Sequence, residues 1–312
     1  MPTIFWQTII GVIGLLAVAS IAGYLLKRRH GPDNDTIRNL NQRVAAWWLM
    51  VIVIAGALLL GNYATIVLFA ICAFFALREF ITLTPTRPAD YWPLVLVYYV
   101  ALPGQFLLLG LGWYGLFTVF IPVYVFFALP AAAALAQDTN GFLERNAKVQ
   151  WAVMVCVFSL SHAPALLMLQ IPGYFTTNAP LLLYFLLVVQ SSDVFQYVCG
   201  KLWGKRKLSP HVSPSKTWEG LLGGGAMAVV LGALLHGLTP FHHWWQSTLM
   251  AFVIVIGGFI GGLVLSAVKR SLGAKDWGVM LTGHGGMLDR LDSICFSAPI
   301  FFHLTRYFFT PA

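Results

Sequence analysis

Charge is what this sequence has least of. Asp, Glu, Lys and Arg together make up 10% of 312 residues, against about 25% in a soluble domain, which excludes a water-facing surface over most of the molecule. Acidic residues are scarcer still, eleven in all, so the position of each carries information. Cysteine is limited to Cys72, Cys156, Cys199 and Cys295, none with a C-x-x-C partner. That spacing argues against a zinc site or a disulfide framework and leaves four packing residues. No low-complexity tract, linker or internal repeat marks a second domain. No RNA- or DNA-binding module is visible, and the net charge of +8 comes from basic residues scattered over short connections, so no nucleic-acid partner is expected.

What is abundant is apolar. Hydrophobic residues reach 59%, and runs of about 20 recur, each enough to cross roughly 30 Å of hydrocarbon. Ten segments can be drawn, at 4–26, 44–60, 62–78, 92–112, 114–136, 149–170, 179–199, 219–240, 247–268 and 293–310. The fold class expected is all-α, a polytopic membrane protein of about ten transmembrane helices, eight at the fewest. No Lys or Arg precedes the first apolar run, which is as long as a span and reads as a retained helix rather than a cleaved signal.

The connections alternate between basic and uncharged. Those at 27–43, 79–91, 137–148, 200–218 and 269–292 hold, with Arg78 at the edge of one, 18 of the 19 Lys and Arg residues; Arg306 is left over. Basic loops stay in the cytoplasm, so these five are expected there and both termini outside. The whole chain, 1–312, is then expected to form one transmembrane domain, with helices over 1–170 as scaffold and 179–312 as the region that would hold any catalytic residues. Loops 200–218 and 269–292 share its cytoplasmic face. Glycine-rich runs at Gly220–Gly225 and Gly257–Gly262 lie in or beside spans, where small residues let helices approach closely.

Chemistry must come from the few acids. Asp193 sits near the cytoplasmic end of the seventh span, a costly position and so a functional candidate, with pairing to Ser191 or Ser192 as the purely structural alternative. In the last basic loop, Asp289 and Asp292 are three apart and share a helix face, with Asp276 upstream. Carboxylates so placed suit Mg²⁺. Lys269, Arg270, Lys275 and Arg290 surround them, which fits a metal-bound polyphosphate better than a bare metal store, and Gly283-His284-Gly285-Gly286 permits a tight phosphate-approach turn. Such a loop can also be no more than a solvated face. Loop 200–218 adds cations and hydroxyls that suit lipid headgroups. Ser213, Ser215, Lys216 and His211 lack the ordered partners of a Ser-Lys or Ser-His hydrolase.

These residues carry a resemblance. Ser266-x-x-Lys269-Arg270, Lys275-Asp276, Gly283-His284-Gly285-Gly286 and Asp289-Arg290-x-Asp292 keep the motif of phosphatidate cytidylyltransferases (CDP-diacylglycerol synthases) across 27 consecutive residues. A second element also matches: Asp193, Tyr197, Gly200, Gly204, Lys207-Leu208, Pro210 and Ser213-Pro214-x-Lys216-Thr217-Trp218-Glu219-Gly220. The first half resembles the family in hydropathy and in Arg43 entering a span. Gln190 departs from the family, where many members have an apolar or aromatic residue, and the extra basic first loop and the Trp47-Trp48 pair look like a divergent bacterial branch.

The resemblance implies transfer of CMP from CTP to phosphatidate, giving CDP-diacylglycerol and pyrophosphate, in the bacterial inner membrane with the site facing the cytoplasm. It implies Asp289, Asp292, Asp276 and Asp193 as ligands of Mg²⁺, with a second metal or a monovalent cation left open. Asp289, Asp292, Asp276, Lys275 and Arg290 would be catalytic. Lys269, Arg270, Ser266, Ser213, Lys216, Thr217, Lys207 and His284 would contact the substrates. A homodimer is also left open. Two rivals stand beside this: a transporter or flippase using Asp193 as a coupling carboxylate, which would favour inverted repeats not seen here, and a CTP-dependent lipid kinase.

Overall fold

The computed structural model describes residues 1–30, 35–278, 280 and 285–311. Among them run ten helical stretches: α1 Thr3–His30, α2 Asp35–Leu60, α3 Asn62–Leu83, α4 Pro88–Gly110, α5 Tyr114–Ala134, α6 Phe142–Met168, α7 Ala179–Trp203, α8 Gly220–Leu234, α9 Trp244–Ser271 and α10 Leu288–Phe309. Each apolar segment drawn from sequence has become a helix. Eight are long and apolar enough to cross a membrane; α8 is shorter, and α10 is diluted by Asp289, Arg290 and Asp292 at its start. Helices α4 and α5 contain wide turns at Val97–Ala101 and Phe120–Val125, beside or around Pro103 and Pro122, which withhold a backbone donor.

Among the described residues one element departs from an all-helical chain. Lys207–Ser209 (β1) and Ser213–Thr217 (β2) pair antiparallel, with Lys207 opposite Thr217 and Ser209 opposite Ser213. Pro210 and Pro214 forbid helix here, and no apolar alternation announces a strand. The Glu219 carboxylate closes the hairpin by accepting the Lys205 and Arg206 amides at 3.1 and 3.2 Å. Its own backbone amide first, then those of Arg206 and Lys205 and the Arg206 charge, hold its pKa below the usual glutamate range.

The basic connections gather at one end of the bundle. Arg145 pairs with Asp90 at 2.9 Å, joining 137–148 to 79–91. Arg43 lies 5.7 Å over the Tyr197 ring near the end of α7, and the Glu79 carboxylate at the end of α3 accepts the Met287 and Leu288 amides at 2.8 and 2.9 Å. At the opposite end, Tyr174 donates to the Leu238 carbonyl and Asn62 to that of Leu167. The alternation of charge along the chain is therefore an alternation in space. All four cysteines are free, three of them buried.

Close helix contacts occur at the glycine runs. A Cβ at Gly224 would collide with the Gln196 backbone of α7. One at Gly261 would sit 2.5 Å from the Asp292 carbonyl and 2.8 Å from the Phe296 Cβ, so α9 can lie against α10 only with glycine there. Without a hydrophobic drive between helices in lipid, such backbone approach supplies the packing. Gly261→Leu should therefore lower the thermal midpoint in detergent, at a cost of about 1–3 kcal/mol. Gly14→Leu, where a Cβ meets nothing within 4 Å, should leave it unchanged. Equal midpoints for the two variants would contradict this packing.

Candidate active site

Asp193, Tyr197 and Gly200 recur at spacings of three or four along α7 and so share one face, and Gly204 follows just past its end. The two glycines admit the hairpin: a Cβ at Gly200 would lie 3.0 Å from the Thr217 hydroxyl. Thr217 is buried, and its hydroxyl accepts the Gly220 amide at 3.1 Å, fixing the start of α8. One residue earlier, Lys216 points inward. Its ammonium lies over the Phe259 ring at 4.8 Å and 3.4 Å from the Phe259 carbonyl on α9. Burial pushes the Lys216 ammonium below lysine's ordinary value, while Asp292 and Asp193 pull it back up.

Asp292 comes to the same place from α10. The Ser293 amide donates to its Oδ1 at 2.8 Å, and its Oδ2 faces the bare Gly262 position beside the Lys216 ammonium. Asp193 completes the group: Ser293 hydrogen-bonds to it, and Asp292, Lys216 and Arg290 act on it electrostatically. Its side chain is exposed to solvent. The structural alternative of pairing with Ser191 or Ser192 is not used; the Ser192 hydroxyl instead accepts from Gln196 at 2.7 Å.

Asp289 is different. Its Oδ1 pairs with Lys269 at 2.5 Å, both side chains largely buried, and its Oδ2 accepts the Trp277 and Gly286 amides, each at 2.9 Å. Both oxygens are thus committed to shaping the loop between α9 and α10. Asp276 is exposed, as are Lys275, Arg270 and Lys207. Arg270 donates to the Ala274 carbonyl and Ser266 to that of Gly262, one turn back. Ser213 is buried within the hairpin. His284 and Gly283 lie outside the described residues. Among the described residues no three of His, Cys, Asp and Glu gather to hold a metal, so the expected four-carboxylate set is not assembled. The turn that separates Asp289 from Asp292 on α10 sends one toward Lys269 and the loop, the other toward α7. Two converging carboxylates remain, a donor set that fits Mg²⁺ when water and substrate phosphates fill its other positions.

Two residues that fix the loops at this end of the bundle were not singled out by sequence. Glu79 binds the first amides of α10, where a carboxylate also meets the positive end of the helix, and its neighbour Phe80 stacks on Trp277 at 4.9 Å. Arg145, buried with Asp90 and 3.6 Å from Asp138, ties two further basic loops together. The scarcity of acids was the available signal for Glu79, which sits beside Arg78 at the basic end of α3.

Comparison with known proteins places the chain in a family. The model of the cytidylyltransferase family matches residues 41–308, which takes in α7, the hairpin, α9 and α10. The chain belongs to the cytidylyltransferase family. The uncharacterized protein YnbB of Escherichia coli (strain K12) is 40% identical over 271 residues, 85% of this chain and 87% of that protein. A phosphatidate cytidylyltransferase of Mycobacterium leprae is 45% identical over 119 residues, 37% of each chain, and one of Brucella abortus is 39% identical over 140 residues, 45% of this chain and 50% of that protein. The matches to these two named enzymes thus span half of their length or less.

For this family member the two carboxylate roles separate by stability. Lys269→Met strands the buried Asp289 charge and should cost about 3–5 kcal/mol, read as a fall in thermal midpoint, with part of the loss recovered in Lys269→Met/Asp289→Leu. Glu79→Ala leaves two amides unpaired and should cost about 1–3 kcal/mol, with faster hydrogen exchange at Met287 and Leu288. Unchanged midpoints and exchange in these variants would contradict both sets of contacts.

Proposed function

We propose that this protein transfers CMP from CTP to phosphatidate, releasing pyrophosphate and forming CDP-diacylglycerol. Membership of the cytidylyltransferase family and likeness to named phosphatidate cytidylyltransferases support the reaction. The observation that carries the site is the meeting of Asp193, Asp292 and Lys216 from α7, α10 and the hairpin, at the end of the bundle that holds the basic loops. Excess Lys and Arg at that end supports a cytoplasmic orientation, where CTP is available, while the lipid acceptor enters from the leaflet.

A phosphate oxygen of phosphatidate is already ionised, so the step requires no strong base. That oxygen attacks the α-phosphorus of CTP, a new P–O bond forms, and the bond to the β-phosphate breaks with pyrophosphate leaving. The barrier lies in bringing polyanions together and in stabilising charge on the leaving group, which is electrostatic work. Asp193 and Asp292 would hold Mg²⁺, which when bound neutralises phosphate charge and acts as a Lewis acid. Lys216 and Arg290 orient phosphates beside them. Lys269 and Asp289 keep the α9–α10 loop in shape, and the exposed Lys275 and Arg270 meet the nucleotide as it arrives. Neither a coupling carboxylate for transport nor a lipid kinase is favoured by the family match.

Purified protein given labelled CTP, Mg²⁺ and phosphatidate should yield CDP-diacylglycerol and pyrophosphate together; absence of both products would refute the proposal. Asp193→Asn and Asp292→Asn should each lower kcat/KM by at least about 10²-fold, a loss of roughly 2.7 kcal/mol in transition-state stabilisation, with the thermal midpoint kept. Asp289→Asn should lower activity and midpoint together. Full activity in Asp292→Asn would remove the site assignment.

A further inference from the structure

A cavity of about 340 Å³ lies between α1, α2, α3, α7 and α10. Its lining is apolar or aromatic except at one end, where Gln190 and Arg290 stand. Arg290 acts electrostatically on Asp193, and the Gln190 amide donates to the Arg290 carbonyl at 3.4 Å, so this end opens beside the carboxylate pair. The cavity then runs away from the site. Trp47 on α2 stands one turn beyond Arg43, which lies over Tyr197. Leu58 and Leu68 close the far end, where α2 turns into α3, and Leu183 faces them from α7.

From Trp47 to Leu58 is eleven residues, roughly 16 Å of helix. That is close to half of the ~30 Å hydrocarbon core of a bilayer, or the depth of one leaflet. Its opening at a cationic end next to the site, and its apolar length of one leaflet, match a lipid with an anionic head and a hydrocarbon tail. Helix α2 is the least buried of the long apolar spans, so this wall stands open to the surrounding lipid.

We propose that this cavity holds one acyl chain of the lipid acceptor, places its phosphate between Arg290 and Asp193, and sets the chain length the enzyme prefers through Ala55, Leu58 and Leu68 at its far end. The proposal rests on the cytidylyl-transfer reading and adds to it the part of the molecule that selects the lipid. Helices α1–α3 then form a wall of the substrate site rather than a scaffold around it.

The test uses full-length protein in nanodiscs and phosphatidates that differ only in acyl length. Ala55→Phe fills the far end and should lower kcat/KM for long-chain phosphatidate about tenfold, the cost of expelling roughly two methylenes from apolar contact, while the short-chain lipid reacts as before. Leu68→Ala should shift the preference the other way. As a check independent of variant folding, phosphatidate with a photoreactive group at its chain terminus should label wild-type protein within residues 55–68, and unlabelled phosphatidate should compete. Equal slowing of both lipids, or labelling elsewhere, would overturn the proposal and make the cavity the seat of a resident structural lipid. Labelling at 55–68 without CMP transfer to any phosphatidate would leave the lipid site standing and overturn the reaction.

Discussion

Two carboxylates of like charge, Asp193 and Asp292, are held together at one end of an apolar helix bundle, and the rest of the structure serves that unfavourable placement. Neither would stay there alone, because an anion at the edge of hydrocarbon loses hydration and two of them repel. The Lys216 ammonium beside them, the Ser293 amide and hydroxyl, and access to solvent offset part of that cost. What remains unbalanced is an excess of negative charge shaped to receive a cation, beside an excess of positive charge shaped to receive phosphates.

The elements bearing these groups are fixed by contacts that tolerate little change. Glycine at 261 and 262 lets α10 press against α9 so that Asp292 reaches Lys216. Thr217 locks the hairpin to α8, and glycines at the end of α7 let it approach Asp193. Glu79 anchors the start of α10, and the Lys269–Asp289 pair with two backbone amides sets the loop before it. Contributions from α2 and α3 mean that the N-terminal half does more than support the C-terminal third.

Much of this was legible in the sequence. Twenty-residue apolar runs can do little else than become helices in lipid, and the alternation of basic connections already sorted the loops into two ends. The convergence of Asp193 with the Asp289–Asp292 stretch was legible too, because both lay at basic ends of spans. The hairpin was not, since Ser-Pro-Ser-Lys-Thr offers no alternating apolar face. Nor was the division of labour between Asp289 and Asp292: spacing of three puts both near one face, but only the fold shows Lys269 and the Trp277 and Gly286 amides engaging the first. Glu79 was hidden because its partners are backbone amides more than 200 residues away.

Binding of a paramagnetic divalent ion tests the shared carboxylate pair most directly. Titration of Mn²⁺ with CTP, followed by electron paramagnetic resonance in nanodiscs, should show affinity weakened by Asp193→Asn and by Asp292→Asn alike. The double variant should be little worse than either single one, because both oxygens serve one ion. Independent, additive losses, or wild-type affinity in Asp193→Asn, would mean that the two carboxylates do not hold a common cation.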